Sequence, residues 1–244
     1  MNIVFPMAGL GTRLSKSGHK SPKPLVKILD KTLTEWSINS IGFDGNFIFC
    51  CKKEHLEEFD LENILKNIVP NCKIVSIDYQ TQGTAQTILE AKSLINSDEE
   101  LFLSDSDHFI KWDSQRFLKE IRPKDIDACV MVFPEKQIST SLSYVILDQN
   151  GFVTKAAEKI PISEIAACGM HYYKKGSMFV TCAEQMIKKN IRFNDEFYIT
   201  PIYNEFVQKQ KHVITFPINK KWALGSPEEI NQFLFDNENG KISL

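Results

Sequence analysis

Residues 8–24, AGLGTRLSKSGHKSPKP, combine two early glycines, an arginine and a lysine set between two prolines, with almost nothing apolar. Gly9 and Gly11 let backbone amides approach an anion closely. Arg13 and Lys23 add positive charge, and Pro22 and Pro24 are expected to keep the backbone around Lys23 extended and stiff. The chemistry that suits such a loop is phosphate binding; the plainer alternative is a surface loop with scattered charge. Two familiar phosphate loops are excluded. A dinucleotide fingerprint needs a third glycine where Leu14 stands, and no G-x-x-x-x-G-K-[ST] run occurs.

A second chemical feature follows residues 101–103, where LFL runs into Ser104, Asp105, Ser106 and Asp107. Residues i and i+2 of an extended backbone point to one side. Two carboxylates placed that way repel unless a cation lies near them. Oxygen ligands suit Mg²⁺, which takes one or two protein carboxylates and completes its shell with phosphate and water. A solvated acidic turn is the alternative. The histidines, His108 and His171 among them, read as structural.

These groups need elements to position them. The apolar run 3–7 reads as a buried strand broken by Gly9 and Gly11. Further strands are expected at 46–51, 72–77, 101–103 and 128–132. Helical stretches fall at 33–41, 53–68, 84–95 and 114–121, the first with Thr32 and Glu35 at capping-box spacing. This alternation predicts an α/β fold: a Rossmann-like, mixed, mostly parallel central sheet with helices on both faces. Ligands of such sheets bind at the C-terminal ends of the strands, where both chemical features lie. Segments 144–147 and 152–156 flank Asn150 and Gly151 as a hairpin. A strand at 166–173, helices at 177–189 and 199–209, and a strand at 212–216 follow. Ser226, Pro227 and Glu229 open the last helix. With no repeat or linker, residues 1–244 read as a single domain.

The 29 basic and 31 acidic residues give a net charge of −2, which argues against tracking a nucleic-acid backbone. None of the six cysteines forms a C-x-x-C pair, so reduced core thiols are expected. The N-terminal apolar run is too brief for a signal-peptide core or a membrane span, and the chain reads as cytoplasmic with no membrane partner.

The stretches FPMAGLGTRL (5–14) and SPKPLVKILDKTLTEW (21–36) resemble the sugar-phosphate nucleotidyltransferase family, whose signature is G-x-G-T-R followed by P-K-P. GTAQTILEA (83–91), LSDSDHF (103–109), AAEKIP (156–161), CGMHYYKKG (168–176), NDEFYITPIYNEFV (194–207) and WALGSPEEI (222–230) follow in that family's order, so the resemblance runs over essentially the whole chain.

The resemblance implies nucleotidyl transfer from a nucleoside triphosphate to a small phosphorylated acceptor, with release of pyrophosphate. The nucleotide would lie in residues 1–130 and the acceptor in 131–244. Arg13 would stabilise the β- and γ-phosphates, and Lys23 would bridge the α-phosphate and the incoming phosphate. Asp107 first, and Asp105 second, would hold Mg²⁺. Met7, Ala8, Gly9, Gly11, Thr12 and Ser106 would contact the nucleotide, and Gln80, Gln82, Gly83 and Thr84 would form the base pocket. An ordinary helix entry capped by Thr84 is the plainer reading of that last segment. Glu158, Lys159, Gly169, Glu196 and Tyr198 would meet the acceptor, although Glu158 and Lys159 also read as an exposed ion pair. Many relatives carry a further Asp two residues before a late G-[ST]; here that position is Ala223. Short chains beginning this way resemble cytidylyltransferases of capsule biosynthesis, so CTP is favoured. A hexose-1-phosphate uridylyl- or thymidylyltransferase and a non-catalytic nucleotide-binding protein stay open, as does a homo-oligomer.

Overall fold

The computed structural model describes residues 1–9, 11, 14, 21–137 and 139–242. Strand β1 (Asn2–Met7) is buried along nearly its whole length. Lys23–Leu25 then forms a 3-10 turn. Pro22 before it is extended, as expected, but Lys23 itself enters the turn and its carbonyl accepts from the Val26 N–H. Pro24 is tolerated there because a first turn leaves its amide positions unpaired. A small hairpin, β2 (Lys27–Ile28) and β3 (Lys31–Thr32), leads to α1 (Leu33–Asn39). The capping box is complete: Glu35 N–H donates to Thr32 Oγ1 at 3.2 Å, and Thr32 N–H donates to Glu35 Oε2 at 2.6 Å.

Next come β4 (Asn46–Lys52), α2 (Lys53–Glu58), α3 (Leu61–Ile68) and β5 (Lys73–Ile77). The helix expected over 84–95 divides into α4 (Thr84–Leu89) and α5 (Lys92–Ile95), because Ala91 leaves helical geometry. Strand β6 (Leu101–Ser104) ends at the acidic turn, followed by β7 (His108–Lys111), α6 (Ser114–Ile121) and β8 (Ala128–Pro134). The expected hairpin is β9 (Ser143–Leu147) and β10 (Val153–Glu158), antiparallel across a turn where Gly151 has φ +83°. Strand β11 (Ile165–Tyr173) and α7 (Gly176–Lys188) follow. The segment after Ile199 starts as a 3-10 turn around Pro201 and becomes helical only at α8 (Tyr203–Gln208). The chain closes with β12 (Val213–Pro217), β13 (Lys220–Ala223) and α9 (Pro227–Glu238).

The central sheet runs β5-β4-β1-β6-β11-β8-β12, with β9 and β10 continuing from the early part of β11. Strands β5, β4, β1 and β6 are parallel, so their C-terminal ends share one edge. Strand β11 reverses direction and pairs antiparallel with both β6 and β8. Alternate side chains pack opposite faces. Val4, Ile88, Leu103 and Phe179 belong to one core, and Ile3, Phe5, Phe102 and Phe117 to the other. All six cysteines are buried free thiols.

A third apolar cluster stands apart. Leu33, Trp36, Phe109, Trp222, Leu224 and Phe233 gather where α1 and α9 cover a two-stranded sheet of β7 and β13. Neither of these strands shows in the sequence as an apolar run. In β13, Lys220 and Trp222 face α9 and grip Asp236: Lys220 Nζ lies 2.7 Å and Trp222 Nε1 2.9 Å from Oδ2, while Lys241 Nζ lies 2.9 Å from Oδ1. These donors, Lys220 first, hold the Asp236 carboxyl well below the usual carboxylate range. Its contribution to stability is therefore present above the ordinary carboxylate pKa of about 3.9 and fades as pH falls below it. Asp236→Asn should lower the melting temperature at pH 7, and the gap from the parent should narrow between about pH 4 and pH 2. A gap independent of pH in thermal melts would contradict the ionic clamp.

Candidate active site

One cleft of about 530 Å³ opens at the C-terminal edge of the parallel strands. The chain leaving β1 lines it with Met7, Ala8, Gly9 and Gly11, and the turn after β6 lines it with Asp105, Ser106 and Asp107. Lys23 reaches across from the 3-10 turn and forms an ion pair with Asp107. Gly11 has φ +61°, and a Cβ there would meet Lys23 Cβ at 2.9 Å, so this glycine sets how closely the loop backs the lysine. Gly169 on β11 has φ +91° and lies opposite the acidic turn; a Cβ would stand 2.3 Å from Asp105 Oδ2. What the bare backbone there accommodates is the Asp105 carboxylate; the Asp105 backbone N–H donates to Gly169 O at 3.0 Å. Thr12 and Arg13 lie outside the described residues.

The two acids differ electrically. Burial opposes ionisation of Asp107, but the Lys23 ammonium outweighs it and holds that carboxyl well below its usual range. Burial, and then the Asp107 charge, push Asp105 upward, against the pull of Lys221 and Lys23. His108 is buried and pushed down to about 3 by burial, and His171 likewise. Both imidazoles are therefore neutral and poorly suited to carry protons. Ligand atoms of Asp105, Asp107 and His108 lie within 4.8 Å of one another, and His108 Nδ1 has no hydrogen-bond partner among the described residues. The carboxylate pair fits Mg²⁺, and the mutual repulsion felt at Asp105 is what a divalent cation would relieve.

Farther along the cleft lie Gln80, Gly83 and Thr84. Gly83, at φ +114°, is the residue before α4, and Thr84 makes no side-chain cap. Gln82 is exposed and stands outside the cleft lining. Its carbonyl accepts from Phe197 N–H at 2.7 Å, while Phe197 O accepts from Ala85 N–H at 2.9 Å. This two-bond latch ties the segment before α4 to the NDEFY segment.

The opposite wall carries Glu158, Lys159, Glu196 and Tyr198. Glu158 and Lys159 do not form an exposed pair. Glu158 is 7% exposed and accepts from Ser143, and burial raises its carboxyl above the usual range. Lys159 donates to Tyr198 OH at 2.5 Å and stands 4.3 Å from that ring's centroid, while Tyr198 OH donates to Glu196. Sequence reasoning missed Lys221, which also lines the cleft. The alternation in KKWA, with Trp222 pointing the other way, was the signal that could have found it.

Comparison with known proteins decides the family. The nucleotidyl transferase family profile matches residues 5–233. The chain belongs to that family. No curated protein sequence matches it. Among solved structures, it is similar to a nucleoside-diphosphate-sugar pyrophosphorylase from Vibrio cholerae RC9, with TM-score 0.80, 22% identity and coverage of 96% of this chain and 99% of that one. An inositol-1-phosphate CTP transferase from T. maritima superposes with TM-score 0.75 at 15% identity, covering 96% and 93%. A UDP-glucose pyrophosphorylase complexed with UDP-glucose gives 0.76 at 20%, covering 98% of each. These identities speak for a shared fold.

The latch thus joins two segments that line opposite walls of the cleft. Gly83→Ala would force φ +114° on an L residue and place Cβ 2.5 Å from Phe197 N. It should cost about 2 kcal/mol or more in a denaturant melt. Gly240→Ala, with φ +67° but nothing within 4 Å, should cost about 1 kcal/mol. Equal losses in the two variants would show that the Phe197 contact carries no weight.

Proposed function

We propose that the cleft is the active site of a cytidylyltransferase that joins CTP to a phosphorylated amide such as phosphoglutamine, releasing pyrophosphate in capsular polysaccharide phosphoramidate synthesis. The observation that carries transfer chemistry is the Lys23–Asp107 pair beside Asp105, facing Glu158 and Lys159 across one cleft. The attacking phosphoryl oxygen is anionic at neutral pH and needs no general base, which agrees with two buried neutral histidines. This chain's own work is then to align two anions and offset their charge. Lys23 bridges the α-phosphate and the attacking phosphate, and the Gly9–Gly11 loop presents amides to the triphosphate. Arg13, by the family resemblance, meets the outer phosphates. Asp107 and Asp105 hold Mg²⁺, which when bound supplies Lewis-acid stabilisation of phosphoryl charge.

The acceptor wall supports an amino-acid-derived acceptor. It presents carboxylates at Glu158 and Glu196 and an ammonium at Lys159, a complement to a ligand bearing both signs. The same carboxylates could accept from the hydroxyls of a sugar ring, so the wall also suits a hexose-1-phosphate acceptor. CTP is favoured by the resemblance of the N-terminal stretch to capsule cytidylyltransferases, and the T. maritima CTP transferase shares the fold. A hexose-1-phosphate uridylyltransferase is the second reading, favoured by the similar fold of the UDP-glucose pyrophosphorylase.

Pyrophosphate release should be measured for CTP, UTP, dTTP, ATP and GTP against phosphoglutamine, inositol 1-phosphate and glucose 1-phosphate. Fastest release with CTP and phosphoglutamine is expected. Preference for UTP or dTTP with glucose 1-phosphate would replace that assignment with the second reading. No release from any pair would leave only a nucleotide-binding protein. With the best pair, Lys23→Ala and Asp107→Ala should each lower kcat/KM by at least about 10³-fold, at unchanged far-UV circular dichroism. Near-parental rates in both would remove these residues from the chemistry.

A further inference from the structure

Among the described residues three lysines line the cleft: Lys23, Lys159 and Lys221. Lys23 is paired with Asp107, and Lys159 donates to Tyr198. The Lys221 ammonium has no hydrogen bond or ion pair among the described residues, although the side chain is only partly exposed. Its place is fixed by the strand beneath it. On β13, Trp222 is 4% exposed in the third apolar cluster, so Lys221 and Ala223 are turned to the opposite side, toward the cleft. Strand β13 cannot rotate without pulling Trp222 from Phe109 and Phe233 and Lys220 from Asp236. Ala223, next along that face, offers no side-chain polar atom.

Lys221 also stands between the two halves of the site. Its charge acts on Asp105 and Asp107 in the acidic turn and on Glu158 in the acceptor wall. A phosphate monoester approaching there meets Glu158 and Glu196, both of the wrong sign, and Lys159 as the other ammonium of that wall. An unpaired, strand-mounted ammonium at this junction is placed to meet an anionic group that enters the cleft.

We propose that Lys221 is a substrate-contacting residue that binds the attacking phosphoryl group of the acceptor, where the acceptor wall meets the acidic pair. Lys23 bridges the α-phosphate and the attacking phosphate from the triphosphate side, and Lys221 holds the attacking phosphate from the acceptor side. The two ammonium groups thus divide the incoming charge. This inference rests on the transferase reading above, so its test has an arm that does not need turnover.

The full-length protein, Lys221→Met and Lys221→Arg should be titrated calorimetrically with inorganic phosphate as the probe. The same three proteins should then be assayed with the nucleotide and acceptor that turn over best. Lys221→Met is expected to weaken phosphate binding about tenfold or more and raise the acceptor KM by a similar factor, with the nucleotide KM within about twofold of the parent. Lys221→Arg should recover most of both losses. Unchanged phosphate affinity in Lys221→Met, at an unchanged melting temperature, would overturn the proposal. So would a nucleotide KM that rises as much as the acceptor KM. If the parent shows no turnover with any pair, the transferase reading fails on its own, and the calorimetric arm still decides whether Lys221 holds a phosphoryl group.

Discussion

Two carboxylates forced onto one short turn repel, and much of this protein is arranged around that repulsion. Asp105 and Asp107 leave β6 together, and the backbone of each is anchored. Asp105 is held by its backbone bond to Gly169 and by the absence of a side chain on that glycine. The backbone beside Asp107 is held by Leu224 N–H, which donates to Asp107 O at 2.8 Å. Lys23 answers half of the repulsion by pairing with Asp107. In doing so it joins the chain that follows β1 to the end of β6, strands that are already neighbours in the sheet. One ion pair thus ties the turn at Lys23 to the acidic turn and biases the acidic pair toward unequal protonation.

The direction change in the sheet explains why the wall carrying Glu158 and Lys159 faces the acid pair. Had β11 run parallel to β6, Gly169 could not lie across from Asp105 through this register, in which Met170 pairs with Ser104. Antiparallel pairing also sends β9 and β10 out from the early part of β11, which carries Glu158 and Lys159 to the cleft. The small sheet of β7 and β13 then braces the acidic turn from its other side. Ser37 Oγ donates to His108 O at 2.8 Å, and Ser40 Oγ accepts from Ile110 N–H at 2.8 Å, so α1 anchors β7 directly.

Much of this was legible in the sequence, for identifiable reasons. The parallel half announced itself as short apolar runs broken by glycine, because strands buried on both faces must be apolar throughout. The capping box at Thr32 and the N-cap at Ser226 are local chemistry and needed no tertiary context. The cleft lining at Gly11, Lys23, Asp105, Asp107, Lys159 and Tyr198 followed from motif order. Strands β7 and β13 were not legible, since HFIK and KKWA are four residues long and stabilised by partners far away in the chain. The break between α4 and α5 was hidden for the opposite reason: the apolar period continues through it while the backbone does not. Gln82 has its role in the latch through its carbonyl, which no side-chain motif can report.

The position of Lys221 shows how a site can be specified by residues that never touch it. Its orientation is a by-product of Trp222 seeking the third core, and that core exists because α9 returns to cover Phe109 and Trp36. A burial preference on one side of β13 therefore becomes a charge placement on the other, with one strand as the rigid link. The same strand carries Lys220 on the core side, where Asp236 neutralises it. Two adjacent lysines thus receive opposite fates from strand geometry alone. One is clamped to a buried carboxylate, and the other, lacking a partner among the described residues, faces the cleft with its charge available to an anionic ligand.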